Sequence, residues 1–236
     1  DVLKPLLAKA MADPPEGPLG CCVIDMPQNK SSYLITADPA GYGRSGDKSA
    51  LTVWDAVSRK EVAFWEDRED PGRFAGRLMR VQGHYNGALL AVESNAMACI
   101  AILKDKKCQS LLWTNRNHPG WYATSKRIQE AEAMLVQLLR EGEIDIISRG
   151  MFVNYDGSNK KRVKGHDGTT HHFDRARTAV MAADILSRRH FTRANIEPET
   201  NLRPAGQLTI GDLDRHKRKS TKEAGNLFKP PPRNWM

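Results

Sequence analysis

The sequence predicts an α/β domain, and three observations support this fold class. Three strand-like apolar runs follow one another closely, a helical pattern comes next, and a fourth apolar run follows that helix. Strands combined with a crossover helix in this order are typical of a sheet that is covered by helices. The 236 residues, 40% of them hydrophobic, are enough for one good core. We therefore expect one globular domain with irregular ends.

The first three strands are expected between residues 33 and 65. Tyr33–Ala37 is an apolar run that stops at Asp38. A glycine-rich turn leads to Ala50–Trp54, and after a short break Glu61–Trp65 gives a third β-like run. Three strands in such quick succession predict an antiparallel meander.

A crossover helix and a buried strand are expected next. Phe74, Leu78 and Val81 recur at helical spacing, which predicts a helix over residues 71–85. The run Ala88–Val92 is apolar without interruption, as in a strand that is covered on both faces. Glu93 follows it immediately, so a second carboxylate lies where a strand ends.

Two more helices and a short strand are expected before residue 142. Ala96–Leu103 fits a short helix and Ser110–Trp113 a strand. Thr124 or Ser125 can cap a longer helix that ends near Gly142. The buried face of this helix is expected to consist of Ile128, Ala131, Leu135 and Leu138 or Leu139.

The last predicted helix begins at Asp174 and runs to about Ser187. Its packing face is rich in small residues and consists of Ala176, Ala179, Val180, Ala183 and Leu186. Before this helix, residues 151–172 are polar and contain two turns, which predicts a basic hairpin or loop. Residues 191–236 are rich in Pro, Arg and Lys with little periodicity, which predicts an extended or partly disordered basic tail.

Charge and cysteine content indicate the kind of partner and compartment. The net charge of +8 favours a polyanionic partner, nucleic acid first, because Lys and Arg release counterions when they neutralise phosphates. A basic balance is also common in ordinary soluble proteins. The four cysteines show no CxxC spacing, and no stretch approaches the ~20 apolar residues that cross a bilayer. We expect reduced thiols, a cytoplasmic location and no membrane partner.

Three carboxylates form the candidate catalytic group. Asp38 and Glu93 end strands, where ligands gather in α/β folds, and Asp174 joins them if its helix faces the sheet. Like charges so close stay ionised only when a cation neutralises them, which indicates a hard divalent metal such as Mg²⁺. Two such ions activate a water and stabilise a leaving oxygen, so the implied reaction is phosphodiester hydrolysis. Each acid also has an ordinary structural interpretation as a turn former, a rim charge or a helix N-terminal charge.

Three further groups of side chains are candidate contacts to nucleic acid. A basic cluster before the last helix either holds a DNA backbone or is a solvated hairpin, and it consists of Lys160, Lys161, Arg162 and Lys164. Three histidines lack partners at zinc spacing and line the site, contact phosphate or are solvated; they are His166, His171 and His172. Three aromatic side chains can stack on bases, although core packing or loop anchoring is the expected role; they are Trp113, Trp121 and Tyr122.

Short motifs in a consistent order carry a resemblance to a known family. Asp38-Pro39-Ala40-Gly41 with Gly46-Asp47-Lys48-Ser49, and then Val92-Glu93-Ser94-Asn95, resemble the first two motifs of terminase large-subunit nuclease domains. The segment Thr124–Arg127, the ending Glu141-Gly142 and Phe173-Asp174-Arg175 are similar to the downstream pattern of that family. The resemblance spans about residues 33–187.

The resemblance implies a fold and a ligand set. The fold would be a ribonuclease H-like mixed β-sheet flanked by helices, in which Asp38, Glu93 and Asp174 bind two catalytic Mg²⁺ or Mn²⁺ ions. Asp47 would be an auxiliary acid. The family often has two adjacent Asp residues at the third motif, where this chain has Phe173 before Asp174, so Asp167 is the reserve candidate.

The resemblance also implies a domain organisation. Residues 1–30 would be a linker from a missing N-terminal ATPase domain, residues 31–190 the nuclease domain, and residues 191–236 the basic tail. The sequence contains no GxxxxGK[ST] loop, so this chain carries no ATPase motif of its own.

By resemblance, the chain is expected to hydrolyse double-stranded DNA with little sequence preference and to cut concatemeric viral DNA during genome packaging, in the cytoplasm of an infected bacterial host. The expected partners are double-stranded DNA, the ATPase domain of the same polypeptide, the portal protein and the small terminase subunit. One alternative is another ribonuclease H-like nuclease, such as a junction resolvase or a transposase. The other is a non-catalytic DNA-binding or docking module whose acids are structural.

Overall fold

The computed structural model describes residues 8, 10–17, 19–40, 48–108, 110–115, 118–151 and 174–188. Several predicted groups lie outside these residues, namely Asp47, Asp167, the basic cluster Lys160, Lys161, Arg162 and Lys164, the histidines His166, His171 and His172, and the tail from residue 191.

Five strands form one mixed sheet in the order β1-β4-β3-β2-β5. They are β1 (Cys22–Val23), β2 (Tyr33–Asp38), β3 (Ser49–Asp55), β4 (Lys60–Asp67) and β5 (Leu89–Val92). β2, β3 and β4 form the antiparallel meander that the sequence predicts, and β5 is parallel to β2. A parallel pair needs a crossover connection, and the predicted helix, observed over Pro71–His84, provides it.

Helices cover both faces of this sheet; they are α1 (Pro71–His84), α2 (Met97–Asp105), α3 (Ser125–Glu141) and α4 (Asp174–Arg188). One apolar core joins the sheet to α1 and α2, and a second joins it to α3 and α4. Leu34 and Ala91 belong to the α3/α4 core, whereas Ile35 and Leu90 belong to the α1/α2 core. Because side chains alternate along a strand, Asp38 and Glu93 share the direction of Leu34 and Ala91, which is the α3/α4 face.

Side-chain caps set the ends of the long helices. Asp70 accepts hydrogen bonds from two backbone N–H groups of the first turn of α1, at 3.0 and 3.1 Å. Thr124 accepts one from the backbone of Arg127 at 3.2 Å and so starts α3, as predicted. Gly142 ends α3 with a φ of 69°, a left-handed conformation that glycine adopts without steric cost.

The strand predicted at Ser110–Trp113 is wrong in its extent. Leu111 makes a single parallel bridge to Leu90, and the chain then turns into a separate hairpin of β6 (Trp113–Asn115) and β7 (His118–Pro119). The backbone N–H of Gly120 donates to the carbonyl of Leu112 at 2.6 Å, which folds the chain back on itself. The segment therefore cannot continue along the edge of β5.

Residues before position 31 contribute to the fold. Cys22 and Val23 pair with β4 as the edge strand of the sheet, and Met11 makes a parallel bridge to Ser148. The four cysteines are free thiols, as expected. In the part of the chain that the structure describes, no helix combines the length and the apolar character needed to cross a membrane.

Candidate active site

The register of the parallel strand pair brings the first two predicted acids together. Ala37 is the partner of Val92, so Asp38 and Glu93 occupy the next step of the β2–β5 ladder. The backbone N–H of Glu93 donates to the carbonyl of Ala37 at 2.9 Å, which extends the ladder to this step. Both carboxylates therefore lie at one edge of the sheet, on the α3/α4 face.

Helix α4 presents the third predicted acid to the same face. Asp174 is the first residue of α4, and the hydroxyl of Thr178, one turn later, lies 2.7 Å from the hydroxyl of Thr52 on β3. Thr178 also donates to the carbonyl of Arg175 at 2.7 Å. These buried hydrogen bonds hold the first turn of α4 against the middle of the sheet.

The electrostatics show that the three acids interact. Residue Asp38 is partly exposed, but its carboxyl group is surrounded by protein. This burial holds the pKa of Asp38 well above its ordinary value, and the charges of Glu93 and Asp174 raise it further. A hydrogen bond with Glu93 favours the protonated form further, while the charge of Arg177 lowers the pKa of Asp38. The arrangement would take up a cation readily, because a cation relieves the repulsion that keeps the proton bound.

Glu93 is held in one orientation by its neighbours. Its side chain is only 12% exposed, and the amide of Asn95 donates to it at 3.0 Å. The Nε atom of Arg177 lies 3.9 Å from the other carboxylate oxygen, which is beyond hydrogen-bonding distance. The backbone of Glu93 forms a parallel β-bridge with Trp121, and the N–H of Ser94 donates to the carbonyl of Trp121 at 2.9 Å.

A buried charge cluster anchors the start of α4. The guanidinium of Arg175 donates to Asp13 at 3.0 Å and to the hydroxyl of Ser148 at 2.5 Å, and it lies 3.6 Å from Glu61. It also lies over the ring of Phe64, 3.7 Å from the centroid. Because Arg175 follows Asp174 directly, this cluster fixes the position of the third acid.

A second buried carboxylate ties α4 to α3 and to the segment beside Glu93. Asp184 accepts hydrogen bonds from the indole of Trp121 at 2.7 Å, from Arg127 at 2.9 and 2.7 Å, and from Arg188 at 2.6 Å. Burial alone would raise the pKa of Asp184, but the hydrogen bonds from Trp121 and Arg127 outweigh it and lower that pKa. Asp184 thus stays charged and holds Trp121 against Glu93.

Sequence reasoning did not find these supporting residues. Arg175 and Asp184 lie on the buried side of a helix whose other buried positions are mostly small and apolar. Charged residues at such positions are rare unless they are paired, and this is the signal that could have revealed them. Arg177 carried no comparable signal, because its position on α4 is half-buried.

The predicted aromatic group divides into a core residue and two surface residues. Trp121 is fully buried, as the core interpretation predicted. Trp113 and Tyr122 are 42% and 44% exposed. The ammonium of Lys104 lies over the ring of Trp113, and the ring of His118 stacks on that of Tyr122. The three side chains therefore do not form one surface.

The donor set fits a hard divalent cation. Asp38, Glu93 and Asp174 offer only carboxylate oxygens, which are the ligands that Mg²⁺ and Mn²⁺ prefer. Among the described residues, no three His, Cys, Asp or Glu side chains are close enough to enclose a metal ion by themselves. Mg²⁺ sites commonly use one or two carboxylates, with water and phosphate oxygens completing the coordination, so an open arrangement of this kind is compatible with Mg²⁺.

Comparison with known proteins identifies the fold. No protein-family model matches the chain, and no curated protein matches it. The large terminase nuclease from thermophilic phage G20c aligns with 80% of this chain and 98% of its own, with a TM-score of 0.55 and 15% sequence identity. The chain has the fold of a large terminase nuclease.

Other structures with the terminase nuclease fold give the same result. The G20c nuclease with bound magnesium aligns with 78% of this chain and 96% of its own, with a TM-score of 0.55 and 14% identity. The large terminase nuclease domain of Thermus phage P74-26 aligns with 77% of this chain and 93% of its own, with a TM-score of 0.54 and 14% identity. The predicted ribonuclease H-like α/β fold, a mixed sheet flanked by helices, is therefore confirmed.

Proposed function

We propose that this chain is a metal-dependent endonuclease that hydrolyses phosphodiester bonds of double-stranded DNA as the nuclease part of a terminase large subunit. The observation that carries the proposal is the β2–β5 register, which places Asp38 and Glu93 side by side on the face that α4 covers. Solved terminase nucleases of the same fold include one with bound magnesium and others with zinc or cobalt.

Asp38, Glu93 and Asp174 would hold the metal, as two Mg²⁺ or Mn²⁺ ions. When bound, these ions would supply an activated water and stabilise the charge on the leaving oxygen. The chain itself contributes the fixed orientation of the ligands. Asn95 orients Glu93, and the Arg175 cluster anchors the start of α4, where Asp174 lies.

The biological task we propose is the cutting of concatemeric viral DNA during genome packaging, in the cytoplasm of an infected bacterial host. The partners would be double-stranded DNA, an ATPase domain preceding residues 1–30 in the same polypeptide, the portal protein and the small terminase subunit. Residues 31–190, with the edge strand β1 before them, would form the nuclease domain, and residues 191–236 a basic tail. Asp47 would serve as an auxiliary acid, and Lys160, Lys161, Arg162 and Lys164 would contact the DNA backbone.

The test is cleavage of supercoiled plasmid in Mn²⁺, Mg²⁺ or EDTA. We expect metal-dependent nicking and linearisation by the wild-type chain, and loss of both in Asp38→Asn, Glu93→Gln and Asp174→Asn. Asp105→Asn is the matched control, because Asp105 is an exposed acid at the end of α2, on the opposite side of the sheet from the site. Circular dichroism establishes that each variant is folded.

The outcomes separate the proposal from its alternatives. Wild-type activity in Asp38→Asn and Glu93→Gln would overturn the assignment of the acids. DNA binding without cleavage in either metal would support a docking module instead. A strong preference for branched over linear duplex DNA would support a junction resolvase.

A further inference from the structure

Three buried hydrogen-bond donors have no partner within the described residues; one is Nε of Arg175, inside the structural charge cluster, and the other two lie beside Glu93. These two are the hydroxyl of Ser94 and the Nη1 atom of Arg177. We propose that Ser94 and Arg177 form a phosphoryl subsite that holds a non-bridging oxygen of the phosphate to be cleaved. This inference rests on the proposed function and adds to it the residues that bind the substrate anion.

The backbone fixes both residues beside Glu93. Ser94 follows Glu93, and its N–H donates to the carbonyl of Trp121 at 2.9 Å. Arg177 lies on the first turn of α4, three residues after Asp174, and its Nε atom is 3.9 Å from the Glu93 carboxylate. The two donors therefore approach the same acid from the end of β5 and from α4.

The condition of these donors indicates an anionic ligand. A buried donor without an acceptor costs about 1–3 kcal/mol, and more when it is charged, so native structures rarely leave one unless a bound water, ion or ligand completes it. Glu93 does not complete Arg177, because 3.9 Å exceeds hydrogen-bonding distance. A guanidinium presents a planar fork of N–H groups that matches the oxygens of a phosphate.

Arg177 differs from the two structural arginines nearby. Arg127 and Arg175 reach carboxylate oxygens at 2.7 and 3.0 Å, and both serve to join elements of the fold. Arg177 remains 29% exposed while one of its nitrogens is enclosed by protein. It therefore supplies positive charge at the open side of an acidic site, which a phosphate must approach.

The experiment compares Arg177→Gln, Arg177→Lys and Ser94→Ala with the wild-type chain. Arg80→Gln is the control for net charge, since Arg80 is exposed on α1, on the opposite side of the sheet. Three quantities are measured: the single-turnover rate of duplex cleavage at saturating enzyme in Mn²⁺, the Kd of a fluorescein-labelled duplex in Ca²⁺, and the Kd of Mn²⁺ alone by calorimetry.

We expect Arg177→Gln to lower the single-turnover rate on the order of tenfold to a hundredfold, as for loss of a hydrogen bond from a charged donor. Ser94→Ala should lower it by roughly threefold to tenfold. Arg177→Lys should recover part of the rate, because it restores the charge without the planar fork. Mn²⁺ affinity in Arg177→Gln should be unchanged or higher, because a competing cation has been removed, and Arg80→Gln should match the wild type.

Two results would overturn the subsite. One is a wild-type cleavage rate in Arg177→Gln. The other is a rate loss that disappears at saturating Mn²⁺, which would mean that Arg177 only balances the charge of Glu93. If the wild-type chain cuts no DNA, the proposed function fails while the subsite is still tested by inorganic phosphate alone. Phosphate should then raise the Tm of the wild type and leave that of Arg177→Gln unchanged, and an equal rise in both would refute it.

Discussion

Replacing Arg175 with Met tests how much the buried charge cluster beneath Asp174 contributes to stability. The Arg175 side chain is 4% exposed and that of its partner Glu61 is fully buried. Met replaces the aliphatic part of the Arg side chain and carries no charge. In Arg175→Met, Glu61 keeps its hydrogen bonds from Ser148 and Ile147, at 2.8 to 3.0 Å, but loses its counter-charge.

The expected loss is about 3–5 kcal/mol in the free energy of unfolding at neutral pH, because removing one partner leaves an uncompensated buried charge. Burial already raises the pKa of Glu61, and Arg175 opposes this rise, so the variant raises that pKa further. A carboxyl whose pKa is raised in the folded state weakens the fold as pH rises above its ordinary value of 4.5. The stability deficit of the variant should therefore be larger at pH 8 than at pH 5.

Urea unfolding followed by circular dichroism at these two pH values measures both effects. The double variant Arg175→Met with Glu61→Gln should recover much of the loss, because neither position of the former pair then carries a buried charge. A single-variant deficit below about 1 kcal/mol, or one that is equal at both pH values, would show that Arg175 is not the counter-charge of Glu61.

Three further changes have expected outcomes. Asp38→Asn should raise the Tm in EDTA by about 2–4 °C per kcal/mol of repulsion relieved, as measured by scanning calorimetry. Because the pKa of Asp38 is raised in the folded state, its carboxyl destabilises the fold increasingly as pH rises above the ordinary pKa, so the gain should grow with pH. A lower Tm in the variant would contradict this. Asp184→Asn should lower the Tm relative to the wild type. This difference in Tm should shrink as pH falls below 3.8, because the pKa of Asp184 in the folded state is lowered from that value. A difference that grows in acid would exclude the ion pairs of Asp184 as its cause. Gly120→Ala should lower the free energy of unfolding in urea by roughly 2 kcal/mol or more. Gly120 has a φ of +86°, and a Cβ there would lie 2.4 Å from the carbonyl oxygen of Val92. Wild-type stability in the variant would show that the two backbone segments can move apart at little cost.

Much of the fold could be predicted because its elements carry local signals. Apolar runs identified β2 and β5, and the cap at Thr124 with the glycine at position 142 identified α3. The positions of Asp38 and Glu93 followed from the same runs, since each acid stands where a strand stops. These features depend only on neighbouring residues, which a single sequence displays.

The remaining features depend on tertiary contacts. The β6–β7 hairpin depends on backbone hydrogen bonds such as the one from Gly120 to Leu112. The composition of this segment gives no sign of these bonds. The pairing of Arg175 with Glu61 joins residues 114 positions apart, because α4 packs on β2 and β3 and the Arg175 side chain reaches β4 from there. Contacts of this kind arise only after the sheet and helix have packed together.

The β2–β5 register has a consequence for changes of chain length. Some 55 positions separate Asp38 from Glu93, and insertions in the turns between elements would leave both acids in place. One residue added inside β5 would direct the carboxylate to the α1/α2 side, among the apolar side chains of that core. Two added residues would restore the face but move the acid by about 7 Å along the sheet. The number of residues between Asp38 and Glu93 can therefore change, whereas the face of the sheet to which each acid points within its strand cannot.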